Sequence, residues 1–232
     1  MNYLLPLLSV LIGYGVALLL RPQKKNSLKL LLAFSGSFLL SLTVLHLLPE
    51  VYEATLHAHE GEHSHSVSVG IFIMCGILLQ IVLEFFSKGA EHGHVHGHGH
   101  MHQIPWSLFI SLCFHALLEG FPVGHHHDLA WGIAIHHLPI AIILTLFFLN
   151  SGLGKWKVFA FMLTFALMTP LGTYVSVAVP GLSAYYAQIT AVVIGILFHI
   201  SSTIIFEASE DHKFNVAKIS VIILGILFAC FL

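Results

Sequence analysis

The chain has 232 residues, of which 57% are hydrophobic and only 9% are charged, and its formal net charge is −2. Soluble globular domains carry roughly 25% charged residues. The composition therefore excludes an ordinary soluble domain and indicates a membrane protein with several spans.

Eight apolar segments follow one another along the chain, separated by short polar connections. A helix of about 17 to 25 residues is long enough to cross about 30 Å of hydrocarbon. We predict spans at 3–20, 28–48, 66–86, 106–124, 128–149, 156–178, 184–206 and 215–232. The predicted fold class is an all-α polytopic membrane protein with eight transmembrane helices, and residues 1–232 are predicted to form a single transmembrane domain.

The nine basic residues are confined to alternate connections and the helix ends beside them. They lie after the first, third, fifth and seventh spans, whereas the other connections contain neither Lys nor Arg. Because cytoplasmic loops are enriched in Lys and Arg, we place these four connections inside and both termini outside.

Two connections are rich in histidine, one at about 49–65 on the predicted external side and one at about 89–103 on the cytoplasmic side. Alternating Gly and His cannot build a packed core, and neutral imidazoles bind zinc, copper, nickel and iron. We interpret both as flexible metal-collecting loops, although solvated linkers of biased composition are the alternative. The cytoplasmic candidates are His92, His94, His96, His98, His100 and His102.

The most informative polar residues lie inside the fourth and fifth spans. His115 and Glu119 are one helical turn apart and share a face, and His136 and His137 lie at a similar depth on the next span. Ionisable groups in a bilayer are costly and usually line a pathway or a site. Two imidazoles and a carboxylate suit a divalent transition ion.

We therefore predict a metal site formed by His115, Glu119 and His136, with His137 as a further candidate. Adjacent helical positions diverge by about 100 degrees, so we expect only one of the two neighbouring histidines to point squarely at the fourth span. The alternative is that these groups only hydrogen bond the helices together.

Proline and glycine residues support a site at this depth. Pro122 and Pro139 each remove a backbone hydrogen bond, so both helices are expected to kink and expose a carbonyl near the ligands. Interrupted helices near the membrane midplane are typical of transporters. Gly120 and Gly124 form a face on which another helix can approach closely.

Other ionisable residues indicate stations on a pathway. His46, Glu50 and Glu53, at the outer end of the second span, form the predicted entrance. Glu84 and His199, near the inner ends of the third and seventh spans, form the predicted exit together with the six cytoplasmic histidines.

Four sequence features together resemble the ZIP (Zrt-, Irt-like) family of divalent metal transporters. They are HALLEG at 115–120, HHLP at 136–139, HLLPE at 46–50 and the His-rich connection between the third and fourth spans. The resemblance implies a bundle in which the first three and last three spans are related by an inverted repeat. It also implies that His115, Glu119 and His136 bind the transported ion, that the cytoplasmic histidines act in release or regulation, and that transport runs into the cytoplasm.

The chain departs from the family pattern at three positions. Ala116 replaces a frequent Asn, Ile140 replaces a frequent Glu, and Thr169 stands where some relatives have a carboxylate. Because these changes remove most ligands of a second ion, we predict a mononuclear site. Its imidazole-rich set of ligands favours zinc over manganese.

The predicted function is zinc uptake, with Fe²⁺, Mn²⁺ or Cd²⁺ as further substrates and no resident cofactor or nucleic-acid partner. We expect an integral protein of the bacterial inner (plasma) membrane, with a homodimer as its assembly. Three alternatives stay open: an intramembrane zinc metalloenzyme with Glu119 as general base, a haem-binding redox protein, and a metal efflux carrier. The predicted ligands lie between His-rich loops on both sides of the membrane, which favour collection and delivery of an ion, so we expect a transporter and not an enzyme.

Overall fold

A computed structural model of the chain describes residues 4–20, 25–58, 64–87, 106–124, 127–207 and 215–231. Every regular element among these residues is a helix. In chain order they are α1 (Leu5–Leu20), α2 (Lys25–Leu42), a π-helical turn (Thr43–Leu47), α3 (Leu48–Ala58), α4 (Ser64–Ser87), α5 (Trp106–Val123), α6 (His127–Asn150), α7 (Lys155–Ala178), α8 (Pro180–Ser183), α9 (Tyr186–Glu207) and α10 (Val216–Cys230). The all-α class is therefore confirmed.

Six helical stretches in the described part of the chain are long and apolar enough to cross a membrane. They are Ser27–Ala54, Ser68–Phe86, Trp106–Val123, Leu129–Asn150, Lys155–Ala178 and Tyr186–Phe206. The apolar helices α1 and α10 lie at the first and eighth predicted spans but have only 16 and 15 residues. Eight crossings therefore stay a prediction.

The first part of the predicted external loop is helical, so the expectation of a flexible loop was wrong for residues 49–58. A π-helical turn joins α2 to α3, which continues to Ala58. Val51 is only 2% exposed and packs in a core cluster with Leu47 and Leu197, and this burial favours an ordered helix. Residues 59–63 lie outside the described residues, and residues 64 and 65 begin α4.

Two hydrophobic clusters organise the bundle, and α5 and α6 contribute to both. The first cluster joins α1, α5, α6 and α7 and includes Leu112, Leu144 and Phe161. The second joins α2, α3, α4 and α9 to the other ends of α5 and α6, where Val123 and Ile133 contribute. The middle of the α5–α6 hairpin therefore lies where the two clusters meet.

Glycine residues allow the closest helix pairs to form. A Cβ atom on Gly120 would overlap the carbonyl oxygen of Thr169, and one on Gly172 would overlap that of Leu117, so α5 and α7 pack backbone against backbone. Gly76 and Gly195 allow the same approach between α4 and α9. The predicted small-residue face at Gly120 is therefore confirmed, and α7 is the helix that packs on it.

The two interior prolines do not end their helices prematurely. Pro139 lies inside α6, which stays helical on both sides of it, and Pro122 is the next-to-last residue of α5. Close to Pro122, the Thr173 hydroxyl donates a hydrogen bond of 2.8 Å to the Gly120 carbonyl. This bond ties α7 to the residue that directly follows Glu119.

Candidate metal centre

The four predicted ligand residues lie together in the middle of the α5–α6 hairpin. His115 and Glu119 stand one turn apart on α5, and His136 and His137 are neighbours on α6. All four are at most 3% exposed. The site is thus enclosed by the bundle, as ionisable groups inside a bilayer usually are.

The carboxylate of Glu119 lies between imidazoles of both helices. Its Oε1 atom is 2.9 Å from Nε2 of His115, and its Oε2 atom is 3.0 Å from Nε2 of His137. The His137 contact is a hydrogen bond, whereas the His115 contact is a close polar approach without hydrogen-bond geometry. Each carboxylate oxygen therefore has a different histidine partner.

Three of the four residues offer donor atoms that could share one ion. One ligand atom each from His115, Glu119 and His136 lies within 4.8 Å of the others, and His137 is outside this group. Zinc bonds of about 2.0–2.2 Å in a tetrahedral arrangement place ligand atoms about 3.3 Å apart. The three side chains therefore need to close by no more than about 1.5 Å around an ion.

The expectation that only one of His136 and His137 could face the fourth span was wrong. Both imidazoles reach the surroundings of Glu119, although their ring centroids are 5.7 Å apart. The reason is the glutamate: its side chain extends from α5 toward α6, and its two oxygens meet different rings. The prediction considered only the angle between adjacent helical positions and not the length of the Glu119 side chain.

The surroundings of the centre contain few other donors. Ala116 and Ile140, at two of the three positions that depart from the family pattern, are buried and have no donor atoms. Phe165 of α7 packs its ring 5.2 Å from that of His137. The buried Thr169 hydroxyl, on the segment of α7 beside Gly120, has no hydrogen-bond partner among the described residues.

The predicted entrance residues lie apart from this centre. Within the described part of the chain, His46, Glu50 and Glu53 are not members of a three-ligand group. His46 lies in the π-helical turn with Nε2 3.4 Å from the Ala229 carbonyl oxygen of α10, Glu50 is half-buried in the first turn of α3, and Glu53 is exposed.

Sequence reasoning missed Tyr186, which begins α9 and contacts α5 close to the centre. Its ring stacks on Phe121 with centroids 6.2 Å apart. Phe121 is two residues from Glu119. A single tyrosine at the start of an apolar segment offers no sequence signal for such a contact.

The predicted exit residues include a close pair. Nε2 of His199 on α9 lies 2.7 Å from Oε2 of Glu84 on α4, and both side chains are partly exposed. The predicted cytoplasmic ligands His92, His94, His96, His98, His100 and His102 lie outside the described residues.

Fold and site together define a helical membrane protein with a buried centre of histidine and glutamate side chains. A family model described as "ZIP Zinc transporter" matches residues 3–105, which is less than half of the chain and ends before α5. The match includes the HLLPE segment and the His-rich connection. It confirms the resemblance to the ZIP family that the sequence motifs indicate.

Similar proteins also include zinc transporters. The chain is 38% identical over 82 residues to "Zinc transporter SLC39A7" of Homo sapiens and 39% identical over 83 residues to the protein of that name from Canis lupus familiaris. In both cases the match covers 32% of this chain and 18% of the relative. The chain therefore spans less than a fifth of these relatives.

These comparisons bear on two further predictions. The matched family and relatives are named as transporters and not as enzymes, which supports the expectation that this protein is not an enzyme. The family and the apolar helices support an integral membrane protein. The relatives are mammalian, so they do not support the predicted bacterial inner membrane.

Proposed function

We propose that the protein transports divalent transition-metal ions, foremost Zn²⁺, through one mononuclear site formed by His115, Glu119 and His136. The observation that carries the proposal is this trio of buried donors, which come from two helices of membrane-spanning length. An ion that leaves water needs replacement ligands inside the membrane, and imidazole and carboxylate provide them.

Contacts with imidazoles orient Glu119 at the centre. A buried carboxylate is costly unless it is paired or hydrogen-bonded: Oε2 accepts a hydrogen bond from His137, and Oε1 lies 2.9 Å from Nε2 of His115. Metal ligands must offer free lone pairs, so an arriving ion competes with protons for His115 and Glu119. Three protein ligands leave further coordination positions for water or for exchange, which favours release.

The ligand types support zinc as the main substrate. Two imidazoles and one carboxylate suit zinc, iron and cadmium better than magnesium or manganese. Ala116 and Ile140 provide no ligands for a second ion. Fe²⁺, Mn²⁺ and Cd²⁺ stay in the proposal as further substrates, with Mn²⁺ the least favoured.

We further propose eight crossings with both termini outside, counting α1 and α10 as spans. The basic residues on alternate connections support this layout. Trp106 and Trp156 are exposed near the beginnings of α5 and α7, at the proposed inner surface, and Tyr174 and Tyr185 are exposed toward the proposed outer surface. Tryptophan and tyrosine are enriched at both membrane interfaces.

The proposed inverted repeat is supported by the pattern of helix packing. The most extensive contacts are α1 with α6, α5 with α7, α4 with α9, and α2 with α10. Exchanging α1 with α7, α2 with α9, α4 with α10, and α5 with α6 converts this set of pairs into itself. The single-domain organisation and the homodimer stay predictions from the sequence.

Zinc uptake by proteoliposomes tests the proposal directly. The purified protein is reconstituted with a zinc-sensitive dye inside, and influx is compared for the natural chain, His115→Ala and Glu119→Ala. Cys113→Ala is the matched control, since it truncates a half-buried side chain on the same helix. We expect influx to be lost in the two site variants and retained in the control.

Two other results would contradict the proposal. Uptake that persists in both site variants would place the pathway elsewhere. Zinc binding that depends on these residues without any influx would favour a metalloenzyme or a sensor. The inward direction is tested in intact cells, where net loss of cellular zinc on expression would indicate an efflux carrier.

A further inference from the structure

His137 contacts the metal centre in a different way from the other three residues. Its Nε2 atom lies 3.0 Å from Oε2 of Glu119, and the side chain is 1% exposed. Yet its nitrogens do not belong to the group of mutually close donor atoms formed by His115, Glu119 and His136. His137 therefore contacts the Glu119 carboxylate but lies outside the group of atoms that could bind one ion.

The chemistry of imidazole shows which atom donates this hydrogen bond. An ionised carboxylate only accepts hydrogen bonds. The Nε2 atom of His137 is therefore protonated, and its N–H donates the hydrogen bond to Oε2. A nitrogen that carries a proton has no lone pair for a metal ion. In a neutral imidazole the free lone pair is then on Nδ1, which has no hydrogen-bond partner among the described residues.

We propose that His137 is a positioning residue that acts through Glu119 and is not a ligand of the transported ion. Its hydrogen bond occupies Oε2 and leaves Oε1 for the ion, on the side that His115 already contacts at 2.9 Å. Glu119 therefore binds through one oxygen. This inference rests on the proposed function, because it assigns a role within the same centre.

Packing keeps the His137 ring in this orientation. Phe165, itself buried, lies with its ring centroid 5.2 Å from that of His137. A ring held by its neighbours loses little freedom when the ion binds, so the carboxylate is already oriented before binding. Hydrogen-bond partners of metal ligands typically change metal affinity by about 10- to 100-fold when they are removed.

Zinc binding to the purified protein tests this role without requiring transport. Radioactive Zn²⁺ is measured by equilibrium dialysis in detergent, with a chelator that empties weak sites, and with the six cytoplasmic-loop histidines replaced by glutamine. We expect His137→Leu to weaken the tight site by about 10- to 100-fold. His137→Gln keeps an N–H donor near the same place and should stay within about threefold of the natural residue, whereas His136→Gln should lose the site.

The Co²⁺ absorption spectrum adds a readout that a merely structural role would not change. We expect His137→Gln to keep the natural spectrum and His136→Gln to alter it, because only His136 is a ligand. If His137→Gln loses tight binding or changes the spectrum as His136→Gln does, His137 is a ligand and the inference is wrong. Unchanged binding in a folded His137→Leu protein would also overturn it.

The two proposals fail in different ways. Absent zinc influx, together with the expected order of zinc affinities, would contradict transport and support the role of His137. If His137→Leu does not fold, the comparison of His137→Gln with His136→Gln still decides between a positioning residue and a ligand.

Discussion

Glu119 is the one buried carboxylate among the described residues, and its two oxygens face different helices. Oε1 contacts His115 on its own helix, and Oε2 contacts His137 on the next. Removing one partner of a buried ionic group leaves the other poorly compensated, which is usually strongly destabilising. The contacts of Glu119 therefore also join α5 to α6.

Ile140 is a position where one substitution should change the number of bound ions. It lies one turn after His136, so a carboxylate there would share a face with a proposed ligand. We expect Ile140→Glu to bind two Zn²⁺ ions at the centre where the natural chain binds one. We also expect it to melt at a lower temperature without metal and to gain more from added zinc, because the ion compensates the new buried charge.

Ile142→Glu is the matched control for this substitution. Ile142 is also buried, but it lies two positions further along α6 and so points away from His136. The control should lose stability whether or not zinc is present. Zinc stoichiometry by elemental analysis and melting curves with and without zinc provide the measurements, and an unchanged stoichiometry in Ile140→Glu would contradict the prediction.

The sequence indicated that the histidines of α5 and α6 would lie close to Glu119, but not which histidine contacts which of its oxygens. The turn spacing of His115 and Glu119, and the short connection to α6, suffice to bring three donors together. The contact from Nε2 of His137 to the far oxygen of Glu119 depends on side-chain rotamers and on Phe165, which is distant in sequence. Residue spacing contains no information on either.

The contact between α5 and α7 shows how an element holds the centre in place. Gly120 directly follows Glu119 and packs on the backbone of Thr169, and the Thr173 hydroxyl donates to its carbonyl. No side chain fits between the two helices at this point. The position of Glu119 is consequently tied to that of α7, although α7 contributes no residue to the donor group.

Gly120→Ala should therefore damage both stability and zinc binding. The added methyl group would overlap the Thr169 carbonyl oxygen and force α5 away from α7. Overpacking typically costs about 1–3 kcal/mol, so we expect a clearly lower melting temperature in detergent together with weaker zinc binding. Gly15→Ala on α1 is the control, because open space surrounds that position and alanine favours a helix.

A melting temperature of Gly120→Ala equal to that of the natural chain would show that the helices separate without cost. The control should match or exceed the natural melting temperature. Both changes add one methyl group to a helix, so the difference between them isolates the contact with α7.

Long apolar elements were predictable from the sequence, whereas their ends and interruptions were less so. The predicted span 106–124 corresponds to Trp106–Val123, and 128–149 corresponds to His127–Asn150. The π-helical turn and α3 were missed, because polar residues after Pro49 were interpreted as a loop. Their helical structure depends on the burial of Val51 by helices that are far away in sequence.

At the scale of the whole molecule, the centre lies where two hydrophobic clusters meet. The cluster with Leu144 and Phe161 lies toward one end of α6, and the cluster with Leu129 and Ile133 lies toward the other end. His136 and His137 fall between them. The apolar segments of the sequence predicted long helices, but not the pairing of α1 with α6 or α4 with α9, since contacts between distant helices leave no local pattern.

Thiol labelling at the two ends of α7 tests the proposed orientation of the bundle in the membrane. Lys155 begins α7 and Tyr185 precedes α9, and both are exposed. With Cys75, Cys113 and Cys230 replaced by alanine, we expect Tyr185→Cys to react with a membrane-impermeant maleimide in intact cells. Lys155→Cys should react only after the membrane is opened, because the basic connections are cytoplasmic in the proposed layout. Labelling in the reverse order would invert the topology, and labelling of both from one side would mean that α7 does not cross the membrane.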